Sequence, residues 1–281
     1  MDAQTLALPP LIRRNRKGNI KITVKSRSKT VIHGTVLTLF LITILAFFTL
    51  DQKEIFWAEA VRDTLENFST AFFHPALHYL SVGEMLHQLA ITFSLGVLST
   101  VIGALVAFFL SLLCAGNLAN PRVAMVVKAV VSFIRAVPTI LWVLIFAVSA
   151  GIGSVAAVVG LSFHSVSYLV KAYAESIEEI DDGTVEALKA SGASYWQIIF
   201  QAVVPSAMSL MLAWTFMRFE INFANAVAIG AAAGAGGIGY NLFMSGSFYF
   251  DLPETGALTI VIVMAVILLE MISTNVKERI K

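Results

Sequence analysis

Six long apolar runs constrain this chain more than any other feature of its sequence. A helix needs about 20 mostly apolar residues to cross the hydrocarbon core of a bilayer. The runs that are long enough are 31–50, 88–113, 122–149, 153–176, 204–229 and 257–276. Charged residues make up 13% of the 281 positions, whereas soluble domains carry about 25%. The sequence therefore predicts an all-α, polytopic membrane helix bundle with about six transmembrane helices.

The distribution of lysine and arginine orients these predicted spans. A dense series of basic residues precedes the first run, and such residues stay on the cytoplasmic side of a membrane. The run itself ends in "FFTLDQK" rather than at a small-residue cleavage site, so we interpret it as an uncleaved span and not as a signal peptide. An even number of spans then places both termini in the cytoplasm.

The predicted organisation has four parts. They are a basic cytoplasmic N-terminal segment at 1–30, a first transmembrane helix at 31–50, an outer, periplasmic linker at 51–87 and a core at 88–281 with a cytoplasmic loop at 177–203. Within the linker, "EIFWAEAVRDTLENFSTAFF" has near-helical apolar spacing. This spacing predicts a helix that either lies in the outer membrane interface or packs on the protein.

The cytoplasmic loop breaks an otherwise apolar chain with a short amphipathic segment. Asp182 and the glycine after it predict a turn, and Thr184 is the candidate N-cap of a helix whose first turn carries Glu186. Gly192 permits a sharp change of direction there, and a second amphipathic piece at 195–203 leads into the fifth span. The segment is either a helix that docks into a groove on a partner or a loop that lies on the bilayer.

Glu186-Ala187, Gly192, Ile199 and Pro205 together resemble the "EAA" loop of permease subunits from binding-protein-dependent ABC importers. The resemblance implies a type I ABC importer permease architecture in a bacterial inner membrane. It also implies a transport subunit rather than an enzyme, with no cofactor of its own, because a separate ABC ATPase dimer uses ATP and Mg. Further implied partners are a periplasmic substrate-binding protein and a second permease subunit, identical or a close paralogue. The implied ATPase-coupling residues are Glu186, Ala187, Lys189, Gly192 and Ala193.

A narrower resemblance, to the permeases of phosphonate and phosphite importers, rests on "SFIRAVPTILWVLIF", "FHS", "KAYAESIEEID", "RFEIN" and "GAGGIGYNL". The chain departs from that pattern at Ala224, where the family usually carries arginine, and at Gly116, where it often carries arginine as well. The resemblance implies a phosphorus oxyanion as cargo: phosphonate, phosphite or phosphate. The alternatives are a methionine or polar amino acid branch of the same importers and, from another class, an ion-coupled secondary transporter.

Ionisable residues inside predicted spans are costly and usually face a bundle interior or a water-filled path. Arg135 lies about 21 Å and Arg218 about 20 Å along their helices from the prolines that precede them, at 1.5 Å per residue, and hence at similar depth. Either they line a cationic path for an oxyanion, or one of them pairs with Glu220, within the subunit or across a dimer, and only holds helices together. Pro138 predicts a kink, serving as a gate hinge or a static bend. The predicted pathway residues are Arg135, Pro138, His164, Ser165, Arg218, Glu220, Asn222 and Asn225.

The run "GAGGIG" at 234–239 matches a dinucleotide-binding pattern in letters only, because it follows a predicted membrane helix and no strand precedes it. We interpret it as an outer gate loop formed by Gly234, Gly236, Gly237 and Gly239. The histidines at 74, 78 and 87 are interpreted as interfacial residues and not as metal ligands. No catalytic nucleophile and base are paired in the sequence, so we expect no catalytic residues and no metal site.

Overall fold

The computed structural model of the protein describes residues 12–14, 20–22, 27–49 and 56–280. The chain divides into two units, 1–61 and 62–281. In the first unit, strands β1 (Ile12–Arg14) and β2 (Ile20–Ile22) form an antiparallel hairpin that the sequence did not predict, with Ile12 opposite Ile22. Three parts of the chain lie outside the described residues. They are the rest of positions 1–26 in the predicted N-terminal segment, residues 50–55 at the junction of the predicted first span and linker, and residue 281.

Helices make up nearly all of the remaining described chain, which confirms the predicted all-α class. Helix α1 (Arg27–Thr49) is exposed along its described side chains. The other helices are α2 (Trp57–Phe73), α3 (Val82–Leu112), α4 (Pro121–Ala136), α5 (Thr139–Ala150), α6 (Ser154–Glu178), α7 (Asp182–Ala190), α8 (Tyr195–Ile198), α9 (Val204–Ala233), α10 (Ile238–Ser247) and α11 (Leu252–Ile280).

Five of the described helical stretches are long and apolar enough to cross a membrane, or six if the pair α4 and α5 counts as one span. The predicted third span, 122–149, is bent at the predicted kink, because α4 and α5 meet at 89°. The physical cause is Pro138. Val137 before it takes an extended conformation with ψ 125°, as residues before proline prefer, and the helix resumes only at Thr139.

The boundary between the predicted linker and the second span also differs. Helix α3 begins at Val82 rather than at 88, because Ser81 and Glu84 form a capping box: the Glu84 N–H donates to Ser81 Oγ at 3.2 Å and the Ser81 N–H to Glu84 Oε2 at 2.8 Å. The predicted linker 51–87 thus loses its last six residues to α3, and its predicted helix is α2.

Pro205 lies in the first turn of α9, which begins at Val204. The helical path runs from Tyr195 to Ala233 without a break, and a π-helical turn at Ile199–Val203 joins α8 to α9. In that turn the Val204 N–H donates to the carbonyl of Ile199. The wider turn makes room for the Pro205 ring, which would clash with the preceding turn of a regular α-helix.

Helices α3, α6 and α9 form the centre of the second unit. At the closest approach of α3 to α6, a Cβ at Gly103 would lie 2.5 Å from the Ser165 Cβ, so only glycine permits this packing. At the α7 end of the bundle (residues 112–121 and 178–200), the Gly116 N–H donates to Glu178 Oε1 at 2.7 Å. We call the opposite end (residues 74–88 and 234–254) the α10 end.

Candidate functional site

Helix α7 is capped by Asp181 and not by Thr184, which corrects the predicted cap. Asp181 Oδ2 accepts from the Thr184 N–H at 3.2 Å. The carboxylate of Asp181 is placed to satisfy a free N–H of the first turn, and residues 182–183 consequently lie inside the helix instead of forming a separate turn before it.

The two faces of α7 have different surroundings. Val185 is buried and Leu188 half-buried, and they pack with Ile177 at the end of α6 and Ile199 at the start of the α8–α9 path. On the other face Glu186, Ala187 and Lys189 are exposed. The helix is therefore fixed to the bundle through one face and presents a small polar surface with the other.

Gly192 reverses the chain after α7, as predicted. Its φ of +82° is a backbone conformation that residues with a side chain rarely adopt. The Ala193 N–H reaches back to the Leu188 carbonyl at 3.1 Å, closing the end of α7 in a Schellman-type turn. A second capping box, in which the Ser194 N–H donates to Gln197 Oε1 at 2.7 Å, starts α8. The turn prediction at Gly192 is confirmed.

A buried guanidinium lies at the centre of the bundle. Arg218 on α9 is 2% exposed. Its Nε donates to Ser165 Oγ at 3.1 Å, and its Nη2 lies 3.2 Å from His164 Nδ1. The charge also lies 5.4 Å from the centre of the Tyr168 ring, within cation–π range. Among the described residues Arg218 has no carboxylate partner, so neutral groups of α6 stabilise its charge.

Asn222 extends this polar core to α3. Its Nδ2 donates to Thr100 Oγ1 and to Ser165 Oγ, both at 2.8 Å. Both hydroxyls use their own protons on helix carbonyls, which leaves them free to accept. Thr100 was not among the predicted site residues, and nothing in its own sequence neighbourhood singles it out. The polar core, defined as Thr100, His164, Ser165, Arg218 and Asn222, thus joins three helices.

Glu220 points away from the polar core and pairs with Lys277 on α11, with Nζ and Oε1 3.2 Å apart. Both side chains are about one quarter exposed. The predicted pairing of Arg135 or Arg218 with Glu220 inside the subunit is therefore wrong. Residues two apart on a helix do not share a face, so Glu220 does not point toward Arg218. Asn225 is half-buried further along α9.

Arg135 lies in a different environment from Arg218, although the sequence placed them at similar depth. It is exposed at the end of α4 and lines a cavity of about 230 Å³ between α4 and α6. The other charged groups of this cavity pair with one another, Lys128 with Glu178 and Lys171 with Glu175, each at 3.5 Å. Arg135 forms no ion pair within the described chain, so the cavity keeps a net positive charge.

Pro138 lies at the bend between α4 and α5 and is exposed. Trp142 Nε1, one turn into α5, donates to the Ile134 carbonyl of α4 at 3.0 Å. This bond satisfies an acceptor at the break and bridges the two arms of the bend.

Of the four glycines predicted to form an outer gate loop, Gly234, Gly236 and Gly237 lie in the turn between α9 and α10. The fourth, Gly239, lies in the first turn of α10. The Gly237 N–H donates to Gln88 Oε1 and the Ile238 N–H to Thr92 Oγ1, both at 3.0 Å. The loop is therefore held against α3. A Cβ at Gly239 would collide with the Val227 carbonyl oxygen of α9, so close packing requires this glycine. The predicted gating role stays a prediction.

The helices that are long and apolar enough to cross a membrane, the buried polar core between them and the short helix presented at one end fit a membrane transport subunit. Residues 107–280 match the family described as the inner membrane component of binding-protein-dependent transport systems. The match covers more than half of the chain, and the protein belongs to this family.

Individual relatives agree with this assignment. The chain is 32% identical over 190 residues to the phosphate-import permease protein PhnE of Mycolicibacterium smegmatis, a match that covers 67% of this chain but only 35% of that relative's length. It is 30% identical over 191 residues to the phosphite transport system permease protein PtxC of Stutzerimonas stutzeri, covering 68% of this chain and 69% of that one.

Among solved structures, an inward-facing form of the MetNI methionine ABC transporter matches with a TM-score of 0.61 at 24% identity. The match covers 72% of this chain and all of the other. At that identity the likeness concerns the fold alone, which is that of an ABC importer permease.

Proposed function

We propose that this chain is the membrane-spanning permease subunit of an ATP-driven importer, and that it forms the translocation pathway for a phosphorus oxyanion, either a phosphonate, phosphite or phosphate. The cargo assignment is supported by relatives named for phosphate and phosphite import. The observation that carries the mechanism is α7, a helix anchored on one face and exposed on the other.

In this proposal, α7 is the coupling helix that receives force from a separate ATPase. The exposed side chains of Glu186, Ala187 and Lys189 form the docking surface, while Gly192 and Ala193 fix the angle at which α7 is held. ATP and Mg belong to the ATPase dimer, and this chain binds no cofactor. Closure of the ATPases moves α7 and switches the bundle between inward-facing and outward-facing states.

The pathway forms where this subunit meets a second permease subunit, identical or closely related, in a bacterial inner membrane. The α7 end and both termini face the cytoplasm, and a periplasmic binding protein delivers cargo at the α10 end. Arg135, whose charge is not neutralised inside the described chain, attracts the oxyanion. The polar core around Arg218 holds α3, α6 and α9 in register beside the path.

Reconstitution tests the proposal. The permease is purified together with its ATPase, placed in proteoliposomes with the binding protein, and assayed for uptake of methylphosphonate, phosphite, phosphate and methionine. We expect ATP-dependent uptake of at least one phosphorus oxyanion and none of methionine. Uptake of methionine alone would overturn the cargo assignment, and uptake driven by an ion gradient without ATP would overturn the mechanism.

The sidedness of the membrane has its own test. A cysteine introduced at Lys189, in a background with Cys114→Ala, should react with a membrane-impermeant maleimide only after the cytoplasmic side is opened. Labelling from the outside of sealed cells would place α7 on the wrong side and would refute the coupling role.

A further inference from the structure

A small cavity of about 160 Å³ lies at the α10 end, and no residue of the polar core or of α7 lines it. Its polar and aromatic lining comes from two segments that are distant in sequence, 79–80 and 240–254: Tyr79, Tyr240, Asn241, Ser245, Tyr249 and Glu254. None of these residues takes part in the coupling or pathway roles proposed above.

Glu254 lines this cavity and is only 1% exposed. One carboxylate oxygen, Oε2, accepts from the backbone N–H groups of His78 at 3.1 Å and Tyr79 at 2.8 Å. The other, Oε1, is buried and has no hydrogen bond within the part of the chain that the structure describes. A buried carboxylate oxygen left without a donor is costly, so this atom is suited to a ligand that donates.

Asn241 adds a second buried acceptor to the same cavity. Its Oδ1 likewise has no hydrogen-bond partner among the described residues. Two unsatisfied acceptors, one of them part of a carboxylate, favour a cationic group with several N–H donors. They disfavour an anion, so the cavity is not a second site for the oxyanion cargo.

The rim of the cavity is aromatic. Tyr79 and Tyr249 stack with their ring centres 4.3 Å apart, and both are substantially exposed, as is Tyr240. Aromatic faces attract ammonium groups and cover the aliphatic stem of a long side chain. Hard metal ions instead require six to eight oxygen ligands, and the described residues contain no cluster of three or more metal-binding side chains.

The charges of the α10 end agree with a cationic ligand. The segments 74–92 and 234–258 contain no lysine or arginine, but they contain Glu84, Asp251 and Glu254. The Asp251 carboxylate is already engaged, since it accepts from the Glu254 N–H at 3.0 Å and from His78 at 2.5 Å. Burial alone would raise the pKa of Asp251, but these hydrogen bonds outweigh it and hold the pKa below its ordinary value. Of Asp251 and Glu254, only Glu254 keeps a carboxylate oxygen, Oε1, without a donor among the described residues. Glu84 does not line the cavity.

We propose that this cavity receives the ε-ammonium of a lysine on the periplasmic binding protein, and so anchors that protein on the α10 end. The inference rests on the proposed function, which supplies a binding protein on this side. A lysine fits better than an arginine, because a guanidinium binds a carboxylate through both oxygens and Oε2 is already used. An ammonium has three donors, enough for Glu254 Oε1, Asn241 Oδ1 and one further acceptor.

The test measures the affinity of the binding protein for the reconstituted permease–ATPase complex. Glu254→Gln keeps an acceptor for the two backbone N–H groups but removes the charge, and we expect it to weaken binding at least about tenfold, as for truncated buried charge pairs. Glu84→Gln is the matched control, because it removes an exposed charge at the same end but outside the cavity lining and keeps an acceptor for the Ser81 N–H. It should change the affinity less than about twofold. We also expect n-butylammonium to compete with the binding protein for the complex, and n-butanol to have no effect.

A gain of affinity separates this role from misfolding. Asn241→Asp adds a second carboxylate at the cavity and should tighten binding of the binding protein, a result that a damaged fold cannot produce. Unchanged affinity in Glu254→Gln and Asn241→Asp, with both complexes assembled, would overturn the proposal and leave Glu254 as a cap for the 78–79 backbone.

The remaining source of an ammonium group is the cargo itself. If Glu254→Gln slowed uptake of 2-aminoethylphosphonate but not of ethylphosphonate, with docking unchanged, the cavity would recognise cargo and the proposal would be refuted. Failure of the proposed function is recognised separately, because the unmodified complex would then take up neither compound.

Discussion

The turn at Gly192 gives the sharpest test of mechanical coupling, because the cost of changing it can be attributed to the backbone alone. A Cβ at this position would meet no atom within 4 Å, so an added side chain causes no collision. The φ of +82° is nevertheless unfavourable for a residue with a Cβ, by about 1–2 kcal/mol. The substitution therefore strains one joint and leaves the packing around it intact.

A penalty of that size is large compared with the energy that holds a single turn. One to two kcal/mol changes the ratio of two conformations by about 5-fold to 30-fold, so α7 would leave its fixed angle in much of the population. The penalty should depend on the residue introduced. Asparagine tolerates positive φ better than alanine, and a β-branched valine tolerates it least. We expect coupling to decrease in the order Gly192, Asn, Ala, Val.

The assay compares ATP hydrolysis with uptake of a phosphorus oxyanion in the same proteoliposomes. Gly192→Val should keep ATPase activity while the number of molecules imported per ATP falls, and Gly192→Asn should be intermediate. Gly83→Val is the control, because this glycine is also exposed, lies at a helical φ in α3, and has open space around its Cβ. Normal coupling in Gly192→Val, with the complex fully assembled, would refute the reasoning.

Three further substitutions test the packing of the bundle. Gly103→Val should lower the free energy of unfolding of the detergent-solubilised protein by about 1–3 kcal/mol, as overpacking a buried site does. Gly83→Val should leave this free energy unchanged. Equal effects of the two substitutions would contradict the close contact between α3 and α6. Lys277→Met should destabilise the fold by about 1–2 kcal/mol, which is less than for a fully buried ion pair because both partners are partly exposed. The double substitution Glu220→Lys with Lys277→Glu exchanges the two charges and should restore most of the lost stability. No restoration would show that the pair does not interact. Arg218→Met removes two hydrogen bonds of a charged donor, worth about 1.5–3 kcal/mol each, and should lower the unfolding temperature of an inserted protein. Full stability with loss of oxyanion uptake would instead place Arg218 on the path.

The sequence was sufficient to predict those features that depend on local pattern. Apolar length identified the spans, glycine after a short amphipathic segment identified the turn at Gly192, and Pro138 identified the break between α4 and α5. Each of these features is decided by the residue itself and its near neighbours in the chain. The EAA-like spacing added the family, which the match over residues 107–280 supports.

Features that depend on which helix faces meet could not be predicted in this way. Thr100 and Asn222 are 122 positions apart, and Glu220 and Lys277 are 57 apart, so no local pattern connects either pair. The direction of the bend at Pro138 is decided by packing as well. Even the cap of α7 was misassigned, since Asp181 and Thr184 are both good capping residues and only the geometry distinguishes them.

The distribution of rigid and movable connections indicates how force from α7 would travel. Helix α6 reaches α7 through only three residues, and the α8–α9 path continues unbroken after the turn at Gly192, so a displacement of α7 acts on both α6 and α9. Asn222 on α9 donates from one amide group to both α3 and α6. Helices α3, α6 and α9 therefore move as one body. The bend at Pro138 lies outside that body and is bridged by the Trp142 side chain. We infer that the polar core decides which helices move together, whereas Pro138 decides where α4 and α5 can move apart.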